Sequence, residues 1–360
     1  MSLDHPLERI IIIGSGVTGL TVANLMRTEF PRADITIIAA ETPTTASPSA
    51  DYASMWAGAH YRPIPRSSHQ LEQEFDMALR TAEIMKEIAK VASEAGVKLM
   101  PGVEYLEDPP EAVLSLKTGD MYAGPDDEFR VLEQEELPLG VRWGCEYQSY
   151  CINVPVYSRW LLDRFLASDG RVVKHRLTSA AEAFEFAEKN GLGKVSTIVN
   201  CSGRNFDRDG KVKIIRGQTV LVRQEYGKTV TRQNHDGTWS FLIPRPLHGG
   251  TIIGGTKEIG DMEERPRPQT REELLRQSVK YFPDFVDSVE KFDVVKDNVG
   301  RRPWREGGYR IEIESINRDK KIVHGYGAGG RGYELSWSAA EKIVALVKQA
   351  TFIGPKLQKT

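Results

Sequence analysis

The chain has 360 residues, of which 40% are hydrophobic and 27% are charged, and its formal net charge is −2. These values exclude an intrinsically disordered chain, leave room for two domains, and argue against nucleic acid or an anionic membrane surface as the main partner. No apolar run approaches the roughly 18 residues of a membrane-spanning helix, and Cys145, Cys151 and Cys201 are too few for a disulfide framework, so we expect free thiols and no membrane partner.

The first predicted strand follows an acidic start, MSLDHPLE, that does not fit a cleavable signal peptide. The strand ends in the motif Gly14-Ser15-Gly16-Val17-Thr18-Gly19, and a helix-compatible segment follows. Gly14 would allow a sharp turn, Gly16 a close backbone approach to a pyrophosphate, and Gly19 close packing of helix on strand. The phosphates would then lie at the helix N-terminus. This pattern predicts a dinucleotide-binding βαβ unit; the alternative is an ordinary buried strand-turn-helix.

The second predicted strand, over 34–40, ends at Glu41. This residue lies about twenty positions past Gly19, where the fingerprint places an acid that binds a ribose hydroxyl. Glu41 is therefore a candidate cofactor ligand.

The middle of the chain alternates between helical and extended patterns. Apolar residues at helical spacing predict one long amphipathic helix over 69–95, which stops at Gly96. Residues 106–136 are rich in Glu, Asp, Pro and Gly and predict loops and short strands. A helix over 156–167, a strand over 171–177, a helix over 180–188 and a buried strand over 195–200 follow.

The pattern then changes to alternating β segments over 213–256, which predict an antiparallel sheet. The strand-turn-helix pattern then returns, with a strand over 321–325, a Gly-rich loop and a helix over 335–350. The sequence therefore predicts an α/β protein, α+β overall, in which a Rossmann-like domain is interleaved with an antiparallel-sheet domain.

Five further stretches resemble the D-amino-acid oxidase family of FAD enzymes over essentially the whole chain. Their order and spacing are specific together, although each is short; they are residues 55–59 (MWAGA), 198–203 (IVNCSG), 216–218 (RGQ), 298–303 (NVGRRP) and 324–333 (HGYGAGGRGY), the last followed by Trp337. The resemblance implies an FAD-binding domain over 1–62, 140–212 and 290–360, and a substrate-binding domain over 63–139 and 213–289.

The resemblance also implies which residues hold FAD. Backbone over 330–334 would lie beside the isoalloxazine, because a Gly-rich loop that enters a helix suits an anionic ring edge. Val172 and Val173 would meet the adenine side. The expected cofactor residues are Gly14, Ser15, Gly16, Val17, Thr18, Gly19, Glu41, Ser49, Ala57, Gly58, Val172, Val173, Cys201, Ser202, Gly203, Arg302, Gly329, Gly330, Gly332, Tyr333 and Glu334.

Arg302 is the principal candidate for substrate binding. A guanidinium binds a carboxylate through a planar fork, and the resemblance places the family's carboxylate-binding arginine here. Arg301 would be solvated or structural, since adjacent strand residues point to opposite faces. The implied reaction is hydride transfer from the Cα of a D-amino acid to flavin N5, which gives a 2-oxo acid, ammonia and, with O2, hydrogen peroxide.

Two features favour an acidic substrate. Phe241 stands where neutral-substrate members of the family have a tyrosine, and a buried acidic side chain would need a cationic or strongly donating partner. His60, Arg62, Arg245 and Arg331 are candidates for that partner, although Arg62 and Arg245 could equally be solvated turn residues. Gly330 and Arg331 complete the set of candidate catalytic residues with Arg302, Phe241, His60 and Arg62.

Other interpretations stay open at this point. A broad neutral D-amino-acid oxidase is the main alternative, and a glycine or sarcosine oxidase, a nicotinamide-dependent dehydrogenase and a catalytically idle flavoprotein are more distant ones. The seven histidines lack metal-ligand spacing, so no metal is expected. Family members are commonly peroxisomal, yet the chain ends Gln358-Lys359-Thr360 rather than in a Ser-Lys-Leu-like signal; otherwise a cytoplasmic location is expected. A homo-oligomer is left open.

Overall fold

The computed structural model describes residues 8–64, 66, 68–120, 122–124, 127–204, 206 and 208–352. The first seven residues and the Gln358-Lys359-Thr360 terminus, on which the signal-peptide and targeting expectations rest, lie outside the described residues. Within those ranges, no helix combines the length and the apolar character that crossing a bilayer requires.

Fifteen strands and seven α-helices make up the regular structure of the described residues. The strands are β1 (Arg9–Ile13), β2 (Asp34–Ala39), β3 (Val97–Leu106), β4 (Arg130–Val131), β5 (Trp143–Ile152), β6 (Arg171–Lys174), β7 (Thr197–Asn200), β8 (Val212–Val222), β9 (Thr229–Gln233), β10 (Trp239–Pro244), β11 (Thr251–Gly254), β12 (Glu258–Ile259), β13 (Val294–Arg305), β14 (Arg310–Ser315) and β15 (Lys321–Tyr326). The helices are α1 (Val17–Glu29), α2 (His69–Val91), α3 (Glu111–Leu114), α4 (Val154–Ala167), α5 (Glu182–Lys189), α6 (Pro268–Tyr281) and α7 (Ser336–Phe352).

The chain divides into two compact units, each built from separate stretches. The first unit comprises Met1–Pro48, Ser158–Lys213 and Pro303–Thr360, and the second comprises Ser49–Tyr157 and Ile214–Arg302. Residues 49–62, 140–157 and 290–302, which we assign to an FAD-binding domain from the sequence, thus lie in the second unit. The reason is pairing: Tyr61 N donates to Tyr150 O over 3.0 Å, β5 pairs with β3, and β13 pairs with β8.

The first unit is a doubly covered sheet with the strand order β14-β15-β7-β1-β2-β6. All neighbours are parallel except β14 and β15. α5 covers one face, where Phe184 packs in a cluster with Ile11 and Ile198. α7 covers the other face, since an added Cβ on Gly325 would overlap Ile343 of α7, and α1 packs against α7. This is the predicted Rossmann-like layer arrangement.

The second unit contains a nine-stranded sheet in the order β12-β8-β11-β10-β9-β3-β5-β4, with β13 paired to β8. The antiparallel sheet predicted over 213–256 is confirmed for β8, β11, β10 and β9, and the sheet continues into β3, which runs parallel to β9. One face packs against α6, whose Leu274 and Leu275 join Val220, Val230 and Leu242 in a buried cluster. The opposite face carries most of the polar residues that we predict to bind the substrate.

Several predicted elements have different bounds in the structure. The helix over 69–95 ends at Val91, and a 3-10 turn over Ser93–Ala95 precedes Gly96, which is left-handed at φ 71°. The strand over 171–177 stops at Lys174. Sequence reasoning did not predict β3, β5, β13, β14 or α6.

Candidate functional site

The first glycine-rich turn, in the first unit, has no space for side chains at two of its glycines. Gly14 follows β1 with φ 93°, and an added Cβ would lie 2.6 Å from the Cys201 carbonyl oxygen. An added Cβ on Gly19 would overlap the Gly14 carbonyl oxygen. Gly16 caps α1 without any side-chain hydrogen bond to the first amides of the helix. Because Gly16 has no side chain that could cap α1, this helix N-terminus fits an anionic pyrophosphate.

Side chains beside this turn tie it to neighbouring segments. The Ser15 hydroxyl donates to the Glu41 carbonyl oxygen, just beyond β2, since β1 and β2 are adjacent and parallel. The Thr18 hydroxyl lies 2.8 Å from the Tyr309 hydroxyl. An added Cβ on Gly332 would lie 3.6 Å from Val17 Cγ1, so the C-terminal glycine loop lies against the start of α1.

Two more strand ends of the first unit carry predicted cofactor residues. After β7, Ser202 N donates to the Asn200 side chain over 3.2 Å, and Gly203 is left-handed at φ 76°. Val172 and Val173 are half-buried on β6, the last strand in the sheet order. Their predicted roles at the adenine side stay predictions.

The glycine-rich loop before α7 is held in place by contacts with residues 303–305 of the same unit. Gly329 N donates to Pro303 O over 2.9 Å, and the left-handed Gly327 packs on Arg305, whose Cβ would lie 2.6 Å from an added Cβ. Within the described ranges, the Gly330 and Gly332 amides donate to no backbone carbonyl. Such amides beside a helix N-terminus can cradle an anionic ring edge. Together with the α1 turn, these features fit FAD.

Two predicted residues of this loop have protein partners. Arg331 Nε donates to Glu334 over 2.8 Å, and both side chains are largely buried. The Tyr333 hydroxyl lies 3.1 Å from the Ser158 hydroxyl. Because Glu334 balances its charge, Arg331 does not fit the predicted cationic partner of an acidic substrate.

In the second unit, strand register places the substrate candidates on one face of the sheet. Directly opposite residues share a face, and the row runs from Thr219 through Gly254, Phe241 and Thr231 to Glu104. We call this the polar face; it is the face opposite α6. Phe241 lies flat across β11, with its Cζ 3.0 Å from where a Cβ on Gly255 would be.

Arg302 lies over the polar face above Gly217. An added Cβ on Gly217 would lie 2.5 Å from the Arg302 Cζ. The guanidinium donates from Nη1 to Thr256 O over 3.3 Å, and it has no carboxylate partner among the described residues. Desolvation by burial lowers the pKa of Arg302. A half-buried cation without a counter-ion is suited to bind an anionic ligand.

Its neighbour Arg301, in contrast, is paired with carboxylates. It lies 2.7 Å from an Asp51 carboxylate oxygen and 2.7 Å from a Glu264 oxygen, and it donates to Met262 O over 2.9 Å. Arg301 is therefore a buried structural residue.

His60 sits at the edge of the polar face on a segment after β2. Its Nδ1 lies 2.7 Å from the Thr229 hydroxyl, and Ala59 before it is left-handed at φ 60°. Burial, and secondarily the charge of Arg62, lowers the pKa of His60 to about 3. His60 is thus neutral at physiological pH and does not supply a cation in the ligand-free protein.

Arg62 is ion-paired across the polar face. Its Nη1 donates to Glu104 over 2.8 Å, its guanidinium lies 4.6 Å from the centre of the Trp239 ring, and Tyr122 donates to the other Glu104 oxygen over 2.7 Å. Glu104 is only 2% exposed. Sequence reasoning missed Glu104, although an isolated acid in the apolar stretch KLMPGVEYL was a visible signal. It also missed Thr229, for which no signal exists.

Two further arginines donate to backbone carbonyl oxygens and so support neighbouring segments. Arg245 is buried and donates to Ala57 O over 3.0 Å, next to Gly58, so it supports the 55–59 segment. Ser49, at the start of this segment, accepts from Trp56 Nε1 over 2.8 Å. Arg216 is fully buried and binds Glu258 and the carbonyls of Glu263 and Arg265, which holds the segment after β12 in place.

No group of three or more His, Cys, Asp or Glu residues that could hold a metal ion occurs in the part of the chain that the structure describes. All three cysteines are buried free thiols.

Comparison with known proteins places these features in context. A family model described as "FAD dependent oxidoreductase" matches residues 9–346. A D-aspartate oxidase of Talaromyces thermophilus is 56% identical over 94% of this chain and 95% of its own length. A D-amino-acid oxidase of Fusarium vanettenii is 31% identical, with 94% and 96% covered. The structure of a glycine oxidase of Bacillus cereus has a TM-score of 0.71 over 95% of this chain and 97% of its own, at 14% identity, and so shares the fold.

Proposed function

The chain belongs to the FAD-dependent oxidoreductase family, and we propose that it oxidises D-amino acids, with a preference for D-aspartate. The products would be the matching 2-oxo acid, ammonia and hydrogen peroxide. FAD and O2 would be its other reactants, and no metal would take part. The predicted resemblance to the D-amino-acid oxidases is confirmed by the family match and by the two fungal relatives.

The observation that carries this proposal is the unpaired guanidinium of Arg302 over Gly217. It meets no carboxylate among the described residues, while its neighbour Arg301 is paired twice. A bidentate bond from Arg302 to the α-carboxylate would fix both the position and the rotation of the substrate. Orientation of this kind is a large part of what such a site can contribute to the reaction.

The residues of the first unit support a bound FAD. The Gly14–Gly19 turn and the N-terminus of α1 would hold the pyrophosphate, and the 329–334 loop would lie at the ring. When bound, FAD supplies the two-electron oxidation of the Cα–N bond and passes the electrons to O2. The chain's own part is to bind the α-carboxylate through Arg302, to present Cα and to offer the Phe241 ring as an apolar surface on the polar face.

The preference for an acidic side chain has three supports. The Talaromyces thermophilus relative is a D-aspartate oxidase. Phe241 gives Arg302 no hydroxyl for the α-carboxylate, as the sequence predicted. His60 and Arg62 lie on the polar face with Arg302. Arg62 stacks on Trp239, two residues before Phe241, and Arg302 lies over Gly217, two residues before Thr219, which is in the same row as Phe241.

A broad preference for neutral D-amino acids is the second candidate. It is favoured by the Arg62–Glu104 pair, because Glu104 cancels the charge that an acidic side chain would seek. An unpaired second carboxylate would then be costly to desolvate.

The test is reduction of the bound flavin without oxygen, followed at its absorbance near about 450 nm. The panel is D-Asp, D-Glu, D-Ala, L-Asp, glycine and sarcosine, and steady-state kcat/KM is measured for each. We expect rapid bleaching by D-Asp and none by L-Asp. Equal kcat/KM for D-Asp and D-Ala would select the neutral candidate, and bleaching by sarcosine alone would reject both.

Two variants assign the residues. Arg302→Ala should abolish turnover of every substrate, because all share the α-carboxylate. His60→Ala should chiefly raise KM for D-Asp and leave D-Ala nearly unchanged. Loss of D-Ala turnover in the His60 variant would mean that His60 supports the site as a whole and does not recognise the side chain.

A further inference from the structure

Among the described residues, the two arginines of the polar face leave no spare positive charge for the second carboxylate of a dicarboxylate substrate. Arg302 would bind the α-carboxylate, and Arg62 is already balanced by Glu104, its buried partner at 2.8 Å. A second carboxylate would therefore be desolvated without a counter-charge, which is costly. His60 is the remaining titratable group that the sequence assigns to side-chain recognition.

The hydrogen bonds around His60 assign the position of its proton. The Thr229 hydroxyl has one proton, and the Leu242 carbonyl oxygen, 3.1 Å away, can only accept it. When that proton goes to Leu242 O, the hydroxyl oxygen accepts from His60 Nδ1, 2.7 Å away, and its second lone pair can accept from the neutral Cys151 thiol, which also hydrogen-bonds Thr229. Neutral His60 consequently carries its proton on Nδ1. Its Nε2 has only a lone pair, and within the described ranges no protein group bonds to it.

A lone pair on Nε2 repels a carboxylate oxygen unless a proton lies between them. We propose that His60 recognises an acidic substrate by taking up one proton as the substrate binds, so that the Nε2 atom and the side-chain carboxylate share it. The proton comes from solvent, and no other bond is made or broken. This inference rests on the proposed function and names the chemistry of its specificity.

The groups around His60 on each neighbouring element are consistent with uptake of a whole proton. Arg62 on its own segment is positive and paired with Glu104, Thr229 of β9 and the Leu242 carbonyl of β10 are neutral, and Cys151 of β5 is a thiol whose pKa is raised by burial. The pKa of His60 without ligand is about 3, so the imidazole starts neutral near pH 7.

The coupling between ligand affinity and pH has a definite direction. Binding raises the pKa of His60, so affinity is full below about pH 3, the pKa without ligand, and is lost as pH rises from there to the pKa of the complex. When one proton enters with the ligand, Kd increases about tenfold per pH unit. A monocarboxylate, which contacts Arg302 alone, should show no such slope.

The experiment uses the FAD-loaded oxidised protein and ligands that lack an amino group. Succinate is aspartate without its amine, and propionate is alanine without its amine. Calorimetric titration near pH 7 in buffers of different ionisation enthalpy gives the number of protons taken up. We expect about one proton for succinate and none for propionate. Succinate binding without proton uptake would overturn the inference, because a neutral His60 would then be donating from Nε2.

Two substitutions at Thr229 provide a matched pair. Thr229→Val removes the hydroxyl, which frees the imidazole to carry its proton on Nε2, so succinate should bind with no proton uptake. Thr229→Ser keeps the hydroxyl and should keep the uptake. Full uptake in the valine variant, or none in the serine variant, would contradict the assignment. If D-Asp is not oxidised while succinate still takes up a proton, the proposed oxidase activity fails, and proton-coupled binding of a dicarboxylate at His60 is retained.

Discussion

Gly217 offers the sharpest test of how the site is built, because its missing side chain makes room for Arg302. An alanine Cβ there would lie 2.5 Å from Arg302 Cζ and would overlap Nη2. The obstructed atoms are the end of a flexible side chain and not backbone, so Gly217→Ala should fold with little loss of stability. Arg302 must instead move away, and its bond to Thr256 O at 3.3 Å is too weak to hold it.

The expected effect on activity follows from the bonds that Arg302 would make. A hydrogen bond to a charged group contributes about 2 kcal/mol, and displacement should cost the substrate at least one of two. This corresponds to about a 30-fold loss in kcat/KM. The loss should be similar for D-Asp and D-Ala, since both present an α-carboxylate.

The assay measures steady-state kcat/KM for both substrates, flavin content from absorbance, and Tm. Gly227→Ala is the matched control in the same unit, because an added Cβ there meets nothing within 4 Å. If Gly217→Ala retains kcat/KM within about twofold while Gly227→Ala behaves like the unmodified protein, Arg302 does not need this space. The assignment of the α-carboxylate to Arg302 would then be refuted.

Three further predictions concern other parts of the chain. Gly14→Ala should lose FAD, measured as flavin per protein, because its Cβ would lie 2.6 Å from backbone; Gly191→Ala, also left-handed but with open space, should cost only about 1–2 kcal/mol and keep FAD. Phe241→Tyr should raise kcat/KM for D-Asp and D-Ala alike by about fivefold through one new hydrogen bond near Arg302, and a fall for both would show that the hydroxyl does not fit. Although burial opposes it, hydrogen bonding, first from Arg305, holds the pKa of Asp209 at about 2, so its stabilisation is present above about pH 4 and is lost as pH falls through 2. Asp209→Asn should thus lower the free energy of unfolding, measured by urea titration, by about 1–2 kcal/mol at pH 7 and have little effect near pH 2. An equal effect at both pH values would exclude the charge as the cause.

Local patterns predicted the first unit well because its signals lie within short stretches. The Gly14–Gly19 motif, the strand before it and the helix after it are contiguous, and Gly14 and Gly19 have no space for a side chain. The strands of the second unit were harder to predict from local patterns. β5 and β13 contain many polar residues, and they become strands only because β3 and β8 supply partners far away in the sequence.

The candidate site shows the same division. Sequence reasoning selected Arg302 and Phe241 and expected Arg301 to be solvated or structural, and the structure places Arg301 in two ion pairs. It could not predict that Arg62 pairs with Glu104 or that Thr229 sets the proton of His60. Those contacts depend on the register of β3, β9 and β10, which no local pattern encodes.

By itself, then, the sequence determined the glycine-rich turn after β1, the family and the candidate arginine for substrate binding, because each rests on short motifs that can be identified without any tertiary contact. Only the tertiary structure decided which charges are balanced. Arg62 and Glu104 are 42 positions apart, and His60 and Thr229 are 169 apart. The state of a charged side chain depends on the groups within a few ångströms of it, and folding alone brings those groups together.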